Sequence, residues 1–174
     1  MTDLATLWAA LPQLSNIHAS ADGCWAFWCM AGLTDTENVW CAPLDGSAPP
    51  RMLTDGRDHY LIRDVAPDGR RLILAQSLNA NEHDHLLILD RETKALTQIT
   101  PTQDTHYVYG GVLAKDGSAL FFLADFDYHR NEVTQGAWLW RQDLTTGLRS
   151  CLASADSPPH FYVGPQLSPD GSRL

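Results

Sequence analysis

The sequence predicts an all-β protein, a partial ring of four-stranded antiparallel blades preceded by one short helix. Three observations predict it. Related tight turns recur at Ser20-Ala21-Asp22-Gly23, Ala66-Pro67-Asp68-Gly69, Ala114-Lys115-Asp116-Gly117 and Ser168-Pro169-Asp170-Gly171, with glycines 46, 48 and 54 residues apart. The runs that follow two of them, Leu72-Ile73-Leu74 and Leu120-Phe121-Phe122-Leu123, are apolar on both faces, as a strand covered on both sides must be. Asp90-x-x-Thr93 and Asp143-x-x-Thr146 then precede Leu96 and Leu148 at matching places, and Leu44-Asp45-Gly46 begins a shorter version. A period near fifty built from short strands is the signature of a β-propeller blade.

Taken in order, Leu4, Leu7, Trp8 and Leu11 fall at i, i+3, i+4 and i+7, one face of a helix over residues 1–13. Thr2 or Asp3 is its N-cap, and Pro12 ends it. The propeller occupies 14–174. Its first blade, about 14–54, uses strands Leu14–Ser20, Cys24–Met30, Asn38–Pro43 and Arg51–Thr54. The second, 59–100, uses His59–Ala66, Arg70–Ser77, His85–Asp90 and Leu96–Thr100. The third, 106–152, uses Tyr107–Ala114, Ser118–Asp125, Ala137–Gln142 and Leu148–Leu152. The fourth, 160–174, has Phe161–Ser168 and the opening of a second strand, Ser172–Leu174. Asp-Gly supplies the positive φ that a tight hairpin connection needs, and Pro67 or Pro169 presets φ just before it. The aspartates of these turns read as turn chemistry rather than catalysis.

Composition narrows the function classes. The 174 residues are 44% hydrophobic and 19% charged, an ordinary globular balance. The net charge of −9, with Lys94 and Lys115 the only lysines, argues against nucleic acid or an anionic membrane as partner. Met1–Ala10 has neither a basic n-region nor a long apolar h-region, which predicts a cytoplasmic location. The longest near-apolar run, Cys24–Leu33, is ten residues, too short to span a bilayer. Cys24, Cys29, Cys41 and Cys151 lack C-x-x-C spacing, so all four read as packing residues.

Four constellations are candidates for function. His59-Tyr60, His106-Tyr107 and His160-Phe161 each precede an Asp-Gly turn, nine, ten and ten residues before its Asp. The first strand of a propeller blade lines the central channel, so His59, His106 and His160 are candidate channel-lining or substrate-binding residues. The alternative is packing between blades. In Glu82-His83-Asp84-His85 the two histidines share one face of an extended chain, but two ligands fall short of a metal site. No metal and no cofactor is expected. Asp125–Glu132 reads as a long charged loop between second and third strands, a candidate partner contact. Trp25, Trp28, Trp40, Trp138 and Trp140 alternate along strands, which predicts core and inter-blade packing.

With these units in view, the chain resembles the N-terminal β-propeller of prolyl oligopeptidase family (S9) serine peptidases, the group with the dipeptidyl-peptidase and acylaminoacyl-peptidase branches. The resemblance rests on Ala66–Leu74, Leu89–Thr100, Gly117–Leu123, Asp143–Leu148 and Leu167–Leu174. It implies a propeller that gates and orients peptide substrates for a C-terminal α/β-hydrolase domain carrying a Ser-Asp-His triad. No G-x-S-x-G elbow occurs in this chain, so no catalytic residue carries over to it. The expected partners are that hydrolase domain and a peptide. Three complete units and part of a fourth read as a truncated chain, inactive by itself. Two other classes share the repeat: a TolB-type interaction propeller, disfavoured by the N-terminus, and a metal-dependent propeller lyase, motivated by the recurrent histidines.

Overall fold

A computed structural model describes residues 11–156 and 164–174. The helix expected over 1–13 falls mostly outside the described residues, as do His160 and the start of the strand expected at Phe161. Gln13 already belongs to a strand. Among the described residues no helix is long and apolar enough to cross a membrane.

The fold is a partial β-propeller. Among the described residues twelve strands form three antiparallel four-stranded sheets, each in simple sequence order. Blade 1 is β1 (Gln13–Ala19), β2 (Trp25–Ala31), β3 (Asn38–Pro43) and β4 (Arg51–Met52). Blade 2 is β5 (His59–Val65), β6 (Arg71–Ser77), β7 (His85–Asp90) and β8 (Leu96–Gln98). Blade 3 is β9 (Val108–Leu113), β10 (Ala119–Asp127), β11 (Glu132–Asp143) and β12 (Arg149–Ala153).

The blades stack through the two-sided strands. Leu72 and Leu74 of β6, with Leu87 and Leu89 of β7, enter one core with Phe27, Cys29, Val39 and Cys41 of blade 1. Their neighbours Ile73, Ala75 and Leu86 enter a second core with Leu120, Phe122 and Trp140 of blade 3. The period of two along a strand thus commits alternate residues to opposite neighbours. Arg91 adds a link, lying 3.6 Å over the Trp25 ring and donating from Nε to the Gly69 carbonyl at 2.9 Å.

The four turns are alike in hydrogen bonding. Gly23, Gly69, Gly117 and Gly171 each donate to the carbonyl three residues back, at 3.0, 2.8, 2.7 and 2.8 Å. Each glycine has a positive φ between 63 and 74°, while the preceding aspartates do not. The aspartates accept the backbone N–H two residues on, as at Asp116, where Ser118 donates at 2.9 Å. Asp90 Oδ1 accepts from the backbone N and the hydroxyl of Thr93 at 2.9 and 3.1 Å, and Asp143 does the same for Thr146 at 2.8 and 2.9 Å. The Asp90 and Asp143 carboxyls sit below the usual range because these turn donors hold the charge, Asp90 at about 2.

The structure corrects the sequence reading in four places. The fourth strands expected to reach Thr54 and Thr100 end at Met52 and Gln98. There the hydroxyls of buried Thr54 and Thr100 accept the N–H of Val39 (3.1 Å) and Leu86 (2.8 Å), replacing ladder bonds with side-chain bonds. Asp125–Glu132 is a hairpin end, not a long loop: β10 runs to Asp127, β11 starts at Glu132, and the two residues pair. Asp127 is buried there and its carboxylate accepts from the backbone N of His129 and Arg130 at 2.9 and 3.2 Å, closing the turn. The fourth unit forms its turn, with Ser168 N donating to the Arg173 carbonyl at 2.9 Å, but residues 164–174 form no strand. Cys29 and Cys41 are core residues, whereas Cys24 is exposed, lying in the turn before β2 begins.

Candidate functional site: two clefts on the blade scaffold

The innermost strands converge on a cleft of about 480 Å³. Asn16, Ile62, Gly110 and Gly164 stand at one position in the four units, seven residues before each turn glycine, and all four line it. The pairing of each innermost strand slips at this level: between Ser15 and His18, between Ile62 and Asp64, and at Gly110-Gly111. Such bulges re-aim side chains from the pleat into the channel. Asn16, held at φ 49°, accepts the Ile62 N–H of the next blade at 2.7 Å. Asp64 repeats the device one blade on, accepting Leu113 N–H at 2.7 Å and its neighbour Val65 N–H at 2.8 Å. Gly110 meets the fourth unit backbone to backbone, where an added Cβ would fall 2.7 Å from Gly164 Cα. Only a residue without a side chain permits that approach.

Charge in the cleft is compact. Burial pushes the Asp64 carboxyl up against the pull of its two N–H donors and His18. Burial lowers His18, and the Asp64 charge opposes that. Arg63 reaches Asp84 at 2.7 Å, and its Nε is buried with no partner among the described residues. Among the described residues the lining includes no serine, threonine or cysteine, so they offer no hydroxyl or thiol nucleophile. What it offers is edge backbone, one cation and one carboxylate, the groups that hold an extended chain.

Of the three histidines expected in the channel, the two that are described stand elsewhere. His59 Nδ1 accepts from Glu37 N at 3.4 Å, between blades 1 and 2. His106 is buried, stacked on Phe126 at 4.0 Å with its Nε2 3.5 Å from the Tyr128 hydroxyl. His160 lies outside the described residues. Neither His59 nor His106 lines the innermost-strand cleft. The Glu82–His85 cluster is dispersed too. His83 stacks on Tyr107 at 4.4 Å, Asp84 pairs with Arg63, and the His85 ring is buried. Among the described residues no three His, Cys, Asp or Glu side chains converge as a metal site would require.

His106 instead walls a second cleft of about 540 Å³ at the β10–β11 hairpin end, with Phe126, Tyr128, Asn131, Val133 and Arg149. Burial lowers the His106 imidazole to about 4, and neighbouring His83 and Arg149 add to the effect, so the ring is neutral near pH 7. Sequence reasoning missed Asn16, Asp64 and Arg149, each of which reads as an ordinary strand residue. The Gly110-Gly111 pair inside an expected strand was the one available sign of a bulge with close backbone approach.

No family model and no curated protein matches the sequence. Solved structures do match the fold. TolB from Acinetobacter baumannii aligns with TM-score 0.56 and 15% identity over 81% of this chain and 32% of that one. Oligogalacturonate lyase from Vibrio parahaemolyticus aligns with TM-score 0.59 and 18% identity over 83% and 41%. The β-propeller domain of the Trilobed protease from Pyrococcus furiosus aligns with TM-score 0.58 and 14% identity over 84% and 43%. The chain thus spans about a third to less than half of these proteins. At such identities the likeness is one of fold.

Proposed function

We propose that this chain is the non-catalytic N-terminal propeller part of an S9-like serine peptidase, admitting and orienting peptide for an α/β-hydrolase domain. The observation that carries it is the innermost-strand cleft. Three innermost strands and the backbone of the fourth unit surround Arg63 and Asp64, a lining suited to an extended peptide, with no nucleophile among its described residues. The repeat's sequence resemblance to that peptidase group supplies the reaction class, acyl transfer through a serine ester formed in the partner domain. The propeller's part is selection: a peptide that threads the channel reaches the triad, and a folded protein does not. The proposed setting is cytoplasmic.

The test compares this chain with the longer gene product that the proposal requires. The 174-residue protein is expected to leave acylaminoacyl and prolyl p-nitroanilides intact, and the longer product to cleave them and label with a fluorophosphonate. Cleavage by the short chain would overturn the proposal. So would a longer product that is inert to both reagents, and its recovery from a periplasmic fraction would favour the TolB-type interaction propeller instead.

A further inference from the structure

The second cleft carries an inference independent of the peptidase reading. Its walls are the stacked pair His106–Phe126, the Tyr128 ring set edge-on to both at 5.9 and 5.1 Å, and Val133. Its volume, about 540 Å³, lies in the range of small-molecule sites. Arg149 lines it from the outermost strand of blade 3.

Arg149 is placed as a recognition group. Its Nε donates to the Gln142 side-chain carbonyl and its Nη2 to the Ile99 carbonyl at 2.6 Å. Those two bonds fix the guanidinium plane, and the Tyr128 ring lies 4.1 Å beneath it. Among the described residues Nη1 has no acceptor, and no carboxylate comes within ion-pair distance of Arg149. Arg63, Arg91 and Arg141 by contrast each reach one. Burial lowers the Arg149 pKa and only Tyr128 opposes it. A guanidinium taken partly out of water with neutral partners alone has an electrostatic deficit that an anion would relieve. The Asn131 amide lines the same cleft as a second donor, and among the described residues it makes no side-chain hydrogen bond.

We propose that this cleft binds a small carboxylate with a flat apolar body: the carboxylate on Arg149 Nη1 and Asn131, the flat body against Phe126 and Tyr128. Two features favour a monocarboxylate over phosphate. The walls offer aromatic faces for stacking, which inorganic phosphate cannot use. The chain's net charge of −9 also disfavours a dianion more than a monoanion.

Isothermal titration of the 174-residue chain with 2-naphthoate, 2-naphthamide and inorganic phosphate tests this. Naphthoate is expected to bind, naphthamide at least about tenfold more weakly because the charge-assisted bond is lost, and phosphate not at all. Arg149→Met is expected to reduce naphthoate binding to the level of the amide. Because Arg149 also ties β12 to the Ile99 carbonyl, its loss can unsettle the fold. Val133→Trp therefore serves as a second variant, filling the cleft from an exposed strand position while keeping the Arg149 side chain that ties β12 to Ile99. Abolished naphthoate binding in Val133→Trp supports the site. Absence of naphthoate binding, equal binding of the amide, tighter binding of phosphate, or wild-type affinity in Val133→Trp overturns it.

Discussion

His106 shows how one buried side chain couples packing to pH. Its ring is flat against Phe126 and 3% exposed, and burial brings its pKa down to about 4. The unfolded chain takes up this proton near 6.5, the folded chain only near 4. Between those values the unfolded state binds more protons, so the contribution is complete above 6.5 and is lost as pH falls toward 4. Burial lowers His18 and His85 in the same direction. Asp64 and Asp125, whose carboxyls burial pushes up, act with the opposite sign at the acid end. Replacing His106 with Phe keeps the stack and removes the titration. The variant is expected to lose less melting temperature than the parent between about pH 7 and about pH 5, as followed by circular dichroism. An equal loss in both proteins would assign the acid sensitivity to other groups. Cysteine chemistry follows burial as well: the Cys29 thiol, fully enclosed, is pushed up to about 12 and is inert in the native state.

At the scale of the element, the Asp-Gly turn both closes a hairpin and stacks on its predecessor. Gly69, at φ 63°, sits so close to blade 1 that an added Cβ would lie 2.9 Å from the Ser20 Cβ. Asp22 N donates to the Pro67 carbonyl at 3.3 Å across the same contact. Gly69→Ala therefore meets two costs, the left-handed backbone, about 1–2 kcal/mol, and the collision with the preceding turn. Gly23 has the same φ preference with open space around it. Urea titration is expected to show Gly69→Ala destabilised by more than Gly23→Ala, and equal losses would remove the stacking role. These turns were legible in the sequence because their cause is local: one glycine at positive φ and one aspartate two residues from the N–H it binds. The hairpin end at Asp127–Glu132 was not, because its charged sequence resembles a loop, and its pairing depends on Phe126 and Tyr128 finding the blade 3 core.

At the scale of the molecule, blades are joined near the channel by side chains that take a neighbour's backbone N–H. Asn16 holds blade 2, and Asp64 holds blade 3. In a repeat architecture stability is a sum of unit and interface terms, so each clip governs one interface. Asp64→Ala leaves the Leu113 N–H without its acceptor, at a cost of about 1–3 kcal/mol. Hydrogen exchange is expected to quicken in β9 and to stay near the parent rate in β1 and β2. A uniform rise across all three blades would show that the chain unfolds as one unit rather than blade by blade.

Composition, turn spacing and apolar periodicity by themselves determined the all-β class, the repeat, and most strand positions, β3 and β7 to the residue. Each of these rests on interactions a few residues apart along the chain. Tertiary structure alone decided which side chains meet. It set His106 in the hairpin cleft rather than the channel, gave the channel level to Asn16, Asp64 and Gly110, and left Arg149 facing a cavity. Those outcomes depend on bulges that shift a strand by one residue and on the angle at which one blade lies on the next. A one-residue shift turns a side chain from one face to the other, and the partner that stabilises the shift lies some fifty residues away, as Asp64 and Leu113 do.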